Sequence, residues 1–179
     1  MEAEHAYQQR HDFLASLDDW SLSGRLAANN SKDGGSGSLS WQNSNEETHV
    51  SFRGSMGKGA WELRASEGSA SLRFADGREY SASSISQLVM DHMNSELPVE
   101  ALSWWVLGLA WSNTWDERQL DADGRMTSLR QLGWDVSFSG YKLEDQVWLP
   151  GKLVARKQDQ SVKLAISDWS LRPATAKPD

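Results

Sequence analysis

The sequence predicts a mainly β protein with helices, an α+β architecture in which a large antiparallel sheet carries its helices on one side. Three observations predict it. Apolar residues recur at every second position through most of the 179 residues, the period of half-buried strands. Helical spacing appears near the start and again around the middle, giving the order strands, two helices, strands rather than an alternation of βαβ units. Asp76-Gly77 and Asp123-Gly124 are hairpin signals, since both central positions of a type I′ turn require positive φ.

Phe13, Leu14, Leu17 and Trp20 follow helical spacing, so a short amphipathic helix is expected over 6–19. From Trp20 the period becomes two, through Leu22, Gly24, Leu26 and Ala28. Residues 29–38, Asn-Asn-Ser-Lys-Asp-Gly-Gly-Ser-Gly-Ser, predict a flexible loop. Leu39 and Trp41, then Thr48, Val50 and Phe52, mark two antiparallel strands. Arg53 to Gly59 holds three glycines and predicts a mobile turn. Trp61, Leu63 and Ala65 form the next strand, Glu67-Gly68 a turn, and Ala70, Leu72 and Phe74 a further strand that returns over Arg78 to Ser81.

Ser83 or Ser84 is placed to cap a helix whose apolar face is Ile85, Leu88 and Val89, with His92 at its edge. Pro98 suits the first turn of a second helix, Glu100 complements its positive end, and Gly108 is placed to stop it. Leu102, Trp105, Val106 and Leu109 make its apolar face. Strands resume with Trp134, Val136 and Phe138. Trp148-Leu149-Pro150 belongs at an edge or strand end, because Pro150 cannot donate to a ladder. Lys152 to Lys157 and Val162, Leu164 and Ile166 follow, and Trp169 and Leu171 close the fold. Residues 1–171 are read as one domain and 172–179, polar with two prolines, as a disordered tail. A sheet of this length curls. If it stops short of closure, helices fill its mouth; periodicity does not say whether the interior is packed or hollow.

Composition narrows the function. The net charge of -7 argues against a uniform basic face for nucleic acid, and no Lys/Arg cluster suits electrostatic docking on a membrane. The absence of cysteine excludes disulfides, thiol catalysis and thiolate metal sites. His5, His11, His49 and His92 lie far apart without ligand spacing, so neither a metal nor a cofactor is expected. No window approaches the roughly 18 apolar residues of a membrane-spanning helix, and Met1 to Arg10 is polar, unlike a secretory leader. Asp18-Asp19, Glu46-Glu47 and Asp116-Glu117 are adjacent in sequence; neighbours on a strand point to opposite faces and make poor catalytic dyads. There is no nucleophile elbow, and Gly54 to Gly59 lacks the ending and the following helix of a phosphate loop. No residue set makes a case for an enzyme. Ten tryptophans fit a β-rich core first and a large apolar or stacking site second. Met56 is an apolar side chain alone in a Gly/Ser/Lys turn. Isolated exposed apolar residues are common, so by itself it assigns nothing.

From Trp41 to Trp169 the chain resembles the LolB family of outer-membrane lipoprotein receptors. The resemblance is carried by Trp41-Gln42, Ser55-Met56-Gly57, Trp61-Glu62-Leu63, Asp76 to Ala82, and Leu97-Pro98-Val99 leading to Trp105-Val106-Leu107-Gly108. Leu129 to Val136 with Gln131-Leu132-Gly133-Trp134, then Tyr141, Leu149-Pro150 and Val162 to Trp169, complete it. The W-[IV]-x-G and Q-x-G-W segments are the most specific. The resemblance implies an unclosed antiparallel β-barrel of about eleven strands, with short helices covering the opening around a hydrophobic cavity. It implies a monomeric receptor that accepts acylated lipoproteins from the periplasmic carrier LolA and inserts them into the outer membrane. It also implies a lipidated cysteine, expected upstream of this chain, holding the receptor on the periplasmic face.

In the family an apolar loop between two early strands acts on the membrane. Met56, with Ser55 and Gly57, takes that place, although the usual Pro-Leu-Gly is replaced here and proline's stiffness is lost. Acyl chains are then expected to lie against Trp41, Phe52, Trp61, Leu63, Leu72, Trp134 and Val136 from the sheet, and Leu88, Val89, Leu102, Trp105 and Val106 from the helices. Two alternatives stand beside this one: a carbohydrate-binding β-module using exposed tryptophans, and the soluble periplasmic lipoprotein carrier itself, which has a similar cavity.

Overall fold

The structure, a computed structural model, describes residues 2–31, 34–54, 59–93 and 95–172. The helices are α1 (Glu2–Ala15), α2 (Ile85–Met93) and α3 (Val99–Trp105). The first six strands are β1 (Asp19–Asn29), β2 (Gly34–Ser44), β3 (Glu47–Gly54), β4 (Trp61–Ser66), β5 (Ser69–Phe74) and β6 (Glu79–Ala82). After the helices come β7 (Glu117–Leu120), β8 (Met126–Gln131), β9 (Trp134–Ser139), β10 (Lys142–Glu144), β11 (Val147–Leu149), β12 (Lys152–Lys157) and β13 (Gln160–Arg172).

Eleven strands form one sheet in the order β6-β5-β4-β3-β2-β1-β13-β12-β9-β8-β7, and β10-β11 is a separate hairpin. Every paired neighbour is antiparallel. The two outermost strands, β6 and β7, do not pair with each other, so the barrel is open. Both central helices lie in the connection from β6 to β7, between the two free edges. The first and last strands pair in the middle of the sheet, from Asp19 opposite Arg172 to Asn29 opposite Ser161.

Alternation sets the inner face. Leu22, Trp41, Val50, Leu63 and Leu72 stand opposite one another across five strands and are all buried. On the other side of β1, Leu26, Leu164, Leu153 and Phe138 make a comparable row. The sheet bends where β13 carries an extra residue opposite Ser23-Gly24, the usual effect of a bulge on twist. Gly24 allows the strands to close up there, since a Cβ at that position would stand 2.0 Å from the Ala165 carbonyl oxygen.

Several local expectations need correction. The first helix ends at Ala15 rather than 19. Ser16 Oγ donates to the Phe13 carbonyl at 2.7 Å, and the Asp18 N–H already pairs with Arg172, so the chain has turned into the β1 ladder. Gly34 to Ser38 lies in β2 rather than in a loop, paired residue by residue with β1; the ladder overrides the weak strand preference of glycine and serine. At both Asp-Gly turns only the glycine has positive φ, so neither is type I′. At the first, the Asp76 carboxylate accepts the Arg78 N–H at 3.0 Å. The turns with two positive φ values are Leu132-Gly133 and Asp145-Gln146. Arg172, placed in the tail by the sequence, is the last residue of β13, and 173–179 lie outside the described residues. Ser84 does cap α2, accepting the Gln87 N–H at 3.3 Å.

Candidate functional site

Between the inner face of β1–β5 and the helices lies a cavity of about 290 Å³. Strand alternation positions its sheet side: Leu39, Phe52, Trp61 and Phe74 are successive partners across β2, β3, β4 and β5. Val89 and Met93 of α2, Leu97, and Val99 and Leu102 of α3 form its other side. Ser95 is the one lining residue, among those described, with a polar side chain apart from the indoles of Trp41 and Trp61. Such a lining excludes ions and favours hydrocarbon. A wider and more open recess of about 660 Å³ passes the same Phe52 and Trp61, but Ser38, Ser40, Ser51, Arg53, Glu62 and Arg73 make its lining mixed, with charged groups that the first cavity lacks.

Phe52 and Trp61 stack at 5.3 Å between ring centroids and 19° between planes. They are the last cross-strand pair of β3 and β4, so the cavity wall runs directly into the base of the segment from Gly54 to Ala60. Ser55, Met56 and Gly57 belong to that segment and lie outside the described residues.

Six of the twelve expected lining residues border the cavity: Trp41, Phe52, Trp61, Leu63, Val89 and Leu102. Leu72, Leu88, Trp105, Val106, Trp134 and Val136 do not, although all are buried. Leu72 and Leu88 are in the packed contact between β5 and α2. The other four belong to the half of the interior beside β8 and β9, which is filled. Among the lining residues not expected are Leu26, Leu39, Phe74 and Leu164, all on alternation positions, Met93, which continues the i, i+4 spacing of Ile85 and Val89, and Leu97, which lies between the helices and carries no periodic signal.

The filled half is tied by buried polar groups. Gln131 uses its whole hydrogen-bonding capacity. Its Oε1 accepts from Trp105 Nε1 at 2.9 Å and from the Trp111 N–H at 3.0 Å. Its Nε2 donates to the Thr114 carbonyl at 2.6 Å and to that of Trp111. Arg10 of α1 donates from Nη1 to the Leu107 carbonyl at 2.7 Å and from Nη2 to that of Gly108 at 2.6 Å, holding the turn after α3. Burial lowers the Arg10 pKa, yet arginine stays charged. Gly108 has φ +73°, and a Cβ there would meet the Tyr141 hydroxyl at 2.7 Å. Tyr141 donates to the Met126 carbonyl at 2.6 Å, and burial raises its phenol above the usual range.

The family model described as "Outer membrane lipoprotein LolB" matches residues 18–169. The chain belongs to the LolB family. Among curated relatives, the outer-membrane lipoprotein LolB of Pseudomonas syringae pv. syringae is 34% identical over 166 residues, 93% of this chain and 81% of that protein. The Pseudomonas aeruginosa protein of the same name is 35% identical over 159 residues, 89% and 78% of the two chains. Solved structures are alike in fold only. A lipoprotein-sorting protein domain from Vibrio parahaemolyticus superposes with TM-score 0.60 at 11% identity, covering 97% of this chain and 93% of its own. A LolA-superfamily protein from Nitrosomonas europaea gives 0.57 at 8% identity, covering 98% and 96%.

The two segments most specific to the LolB resemblance therefore meet each other rather than the cavity. Trp105 of W-[IV]-x-G hydrogen-bonds Gln131 of Q-x-G-W, and Gly108 accepts from Arg10. These bonds tie the end of α3 and the turn after it to α1 and β8.

Proposed function

We propose that this LolB-family chain is an outer-membrane lipoprotein receptor that takes acyl chains into the cavity under α2 and α3 and passes them to the membrane at the 55–57 segment. The observation that carries the proposal is the apolar cavity whose wall ends in the Phe52–Trp61 stack, at the base of that segment. LolB is a lipoprotein-localisation family, not an enzyme family.

Physical chemistry explains why such a receptor is needed. Each exposed CH₂ costs about 0.8 kcal/mol, so releasing three long acyl chains into water costs tens of kcal/mol, roughly and before compensation. Hand-off from the apolar cavity of the carrier LolA into this one avoids that barrier. Direction follows if this cavity binds more tightly than the carrier and the membrane more tightly still. At about 290 Å³ the resting cavity is at the lower end of the ~300–1,000 Å³ typical of small-molecule sites. Filling it with several chains requires α2 and α3 to move outward from the sheet. An N-terminal lipid anchor would keep the chain on the periplasmic face of the outer membrane, within Met56's reach of the bilayer.

The carbohydrate alternative needs a flat row of open tryptophans. The exposed ones are Trp111, Trp115 and Trp148, and guanidinium groups stand 4.4 Å from the Trp115 ring centroid and 4.8 Å from that of Trp148.

The first test is transfer of a labelled lipoprotein from purified LolA to this chain; stable movement of the label is expected, and its failure with both proteins folded removes the receptor proposal. The second is Met56→Glu, expected to retain acyl binding and lose delivery to liposomes. Undiminished delivery would refute the role given to the loop.

A further inference from the structure

Trp41 stands at the centre of the inner row of β2, 2% exposed, with its ring 5.5 Å from that of Trp20. Its Nε1–H is buried and has no hydrogen-bond partner among the described residues. The indoles of Trp105 and Trp169 are paired, with Gln131 and with the Pro150 carbonyl. A buried tryptophan N–H usually finds an acceptor, and leaving it alone costs free energy; the other buried unpaired donor among the described residues is Arg10 Nε, whose guanidinium is bonded through both Nη1 and Nη2.

The position of Trp41 suggests where the acceptor comes from. It borders the apolar cavity, and it also borders a second recess of about 290 Å³ that includes Asn43, Thr48, Ser66, Ser83 and Ser103. Trp41 and Val99 are the residues common to both linings. Trp41 therefore stands between a cavity suited to hydrocarbon and a recess of mixed lining, where serines and Glu100 stand beside Ile85, Trp104 and Trp111. An acylated glyceryl group has the same division, with a carbonyl at the junction of chain and polar head.

We propose that the Trp41 Nε1–H recognises the acyl carbonyl, ester or amide, of the bound lipid. The hydrocarbon lies in the apolar cavity and the polar head turns toward the serine-rich recess. This rests on the acyl-binding function proposed above and adds a selectivity to it. The site distinguishes an acyl chain from an alkyl chain of equal length, because only the acyl chain satisfies the N–H, and a site built to hydrogen-bond its ligand rejects the analogue lacking that group.

The test uses 1-monopalmitoylglycerol and 1-O-hexadecylglycerol, which differ by the carbonyl alone, each competing with a fluorescent fatty probe. Wild-type protein is expected to bind the ester about tenfold more tightly, the ratio one net hydrogen bond supplies. In Trp41→Phe the ratio falls to about one, because the aromatic ring is kept and the donor removed. In the wild type, the Trp41 indole N–H resonance shifts with the ester and much less with the ether. The wild-type ratio and resonance decide the matter on their own if Trp41→Phe does not fold. Equal binding of both probes, or equal shifts, overturns the carbonyl contact and leaves the acyl cavity standing. Binding of neither probe overturns both.

Discussion

Beneath α3 the interior divides at Trp105. On the side of β1–β5, apolar side chains face one another across an open space, and the buried Trp41 indole N–H at its wall has no partner among the described residues. On the side of β8 and β9, Gln131, Arg10, Tyr7 and Tyr141 fill the interior and hydrogen-bond the backbone from Leu107 to Thr114 and at Met126. The same short helix contributes to both sides, through Leu102 to the first and Trp105 to the second. The difference teaches how an open barrel keeps a cavity: directional polar bonds fix one half of the lid, so the other half need not pack tightly to hold it.

The strongest way to break this comparison is Gln131→Leu. It leaves the Trp105 indole N–H, the Trp111 N–H and two carbonyls without their partner. The Trp105 bond is buried and the other three are part-buried; one buried orphan costs roughly 1–3 kcal/mol and water offsets part of the rest, so the total is about 2–3 kcal/mol. Chemical denaturation should show that loss. A loss below about 1 kcal/mol would mean that the polar half does not carry the lid.

The cavity half should respond in the opposite sense. Leu26 borders the cavity and is only partly buried. Leu26→Trp fills space rather than breaking contacts. We expect acyl-probe affinity to fall about tenfold while the denaturation midpoint moves by less than the equivalent of ~1 kcal/mol. Equal damage to stability and binding would show that the space is part of a close-packed core.

The same division explains what was legible in the sequence. The sheet was legible because alternation is a local pattern: Leu22, Trp41, Val50, Leu63 and Leu72 each sit on their predicted inward position. Of the eighteen described lining residues, alternation named Trp41, Phe52, Trp61 and Leu63, and helical spacing added Val89 and Leu102. The sorting of inward residues into lining and filling was not legible, because Trp41 and Trp134 carry the same periodic signal. What distinguishes their surroundings is tertiary: Arg10 and Gln131, which bond the end of α3 and the turn after it, are brought together from distant parts of the sequence. The LolB resemblance named the right motifs, Trp105 to Gly108 and Gln131 to Trp134, but gave no sign that they join each other. Met56 remains a proposal from sequence, since its segment lies outside the described residues.

A smaller effect concerns acid stability of the polar half. Asp121 accepts the N–H groups of Asp123 at 2.9 Å and Arg125 at 3.0 Å, and the Arg125 Nε at 2.7 Å. Burial acts to raise its pKa, but these contacts outweigh it and hold the carboxyl below its ordinary value. A depressed carboxylate pKa contributes stability that is present above the unfolded value and lost as pH falls through the folded one. Asp121→Asn should therefore cost about 0.5–1 kcal/mol near neutral pH, and the cost should shrink below about pH 4. A cost that persists in acid would mean that the turn depends on shape rather than on charge.

The smallest expected effect belongs to the cavity. None of its lining residues titrates in the neutral range. His49 and Glu62 pair at 2.9 Å, and Glu62, held below its ordinary pKa chiefly by that hydrogen bond, borders the wider recess instead. Binding of an uncharged acyl probe should then stay flat from about pH 5 to about pH 8, within twofold or so. Stability measured in parallel separates unfolding from weaker binding. A slope centred near the histidine range, in protein that remains folded, would place a titrating group at the cavity wall and remove the division between an apolar half that binds and a polar half that holds.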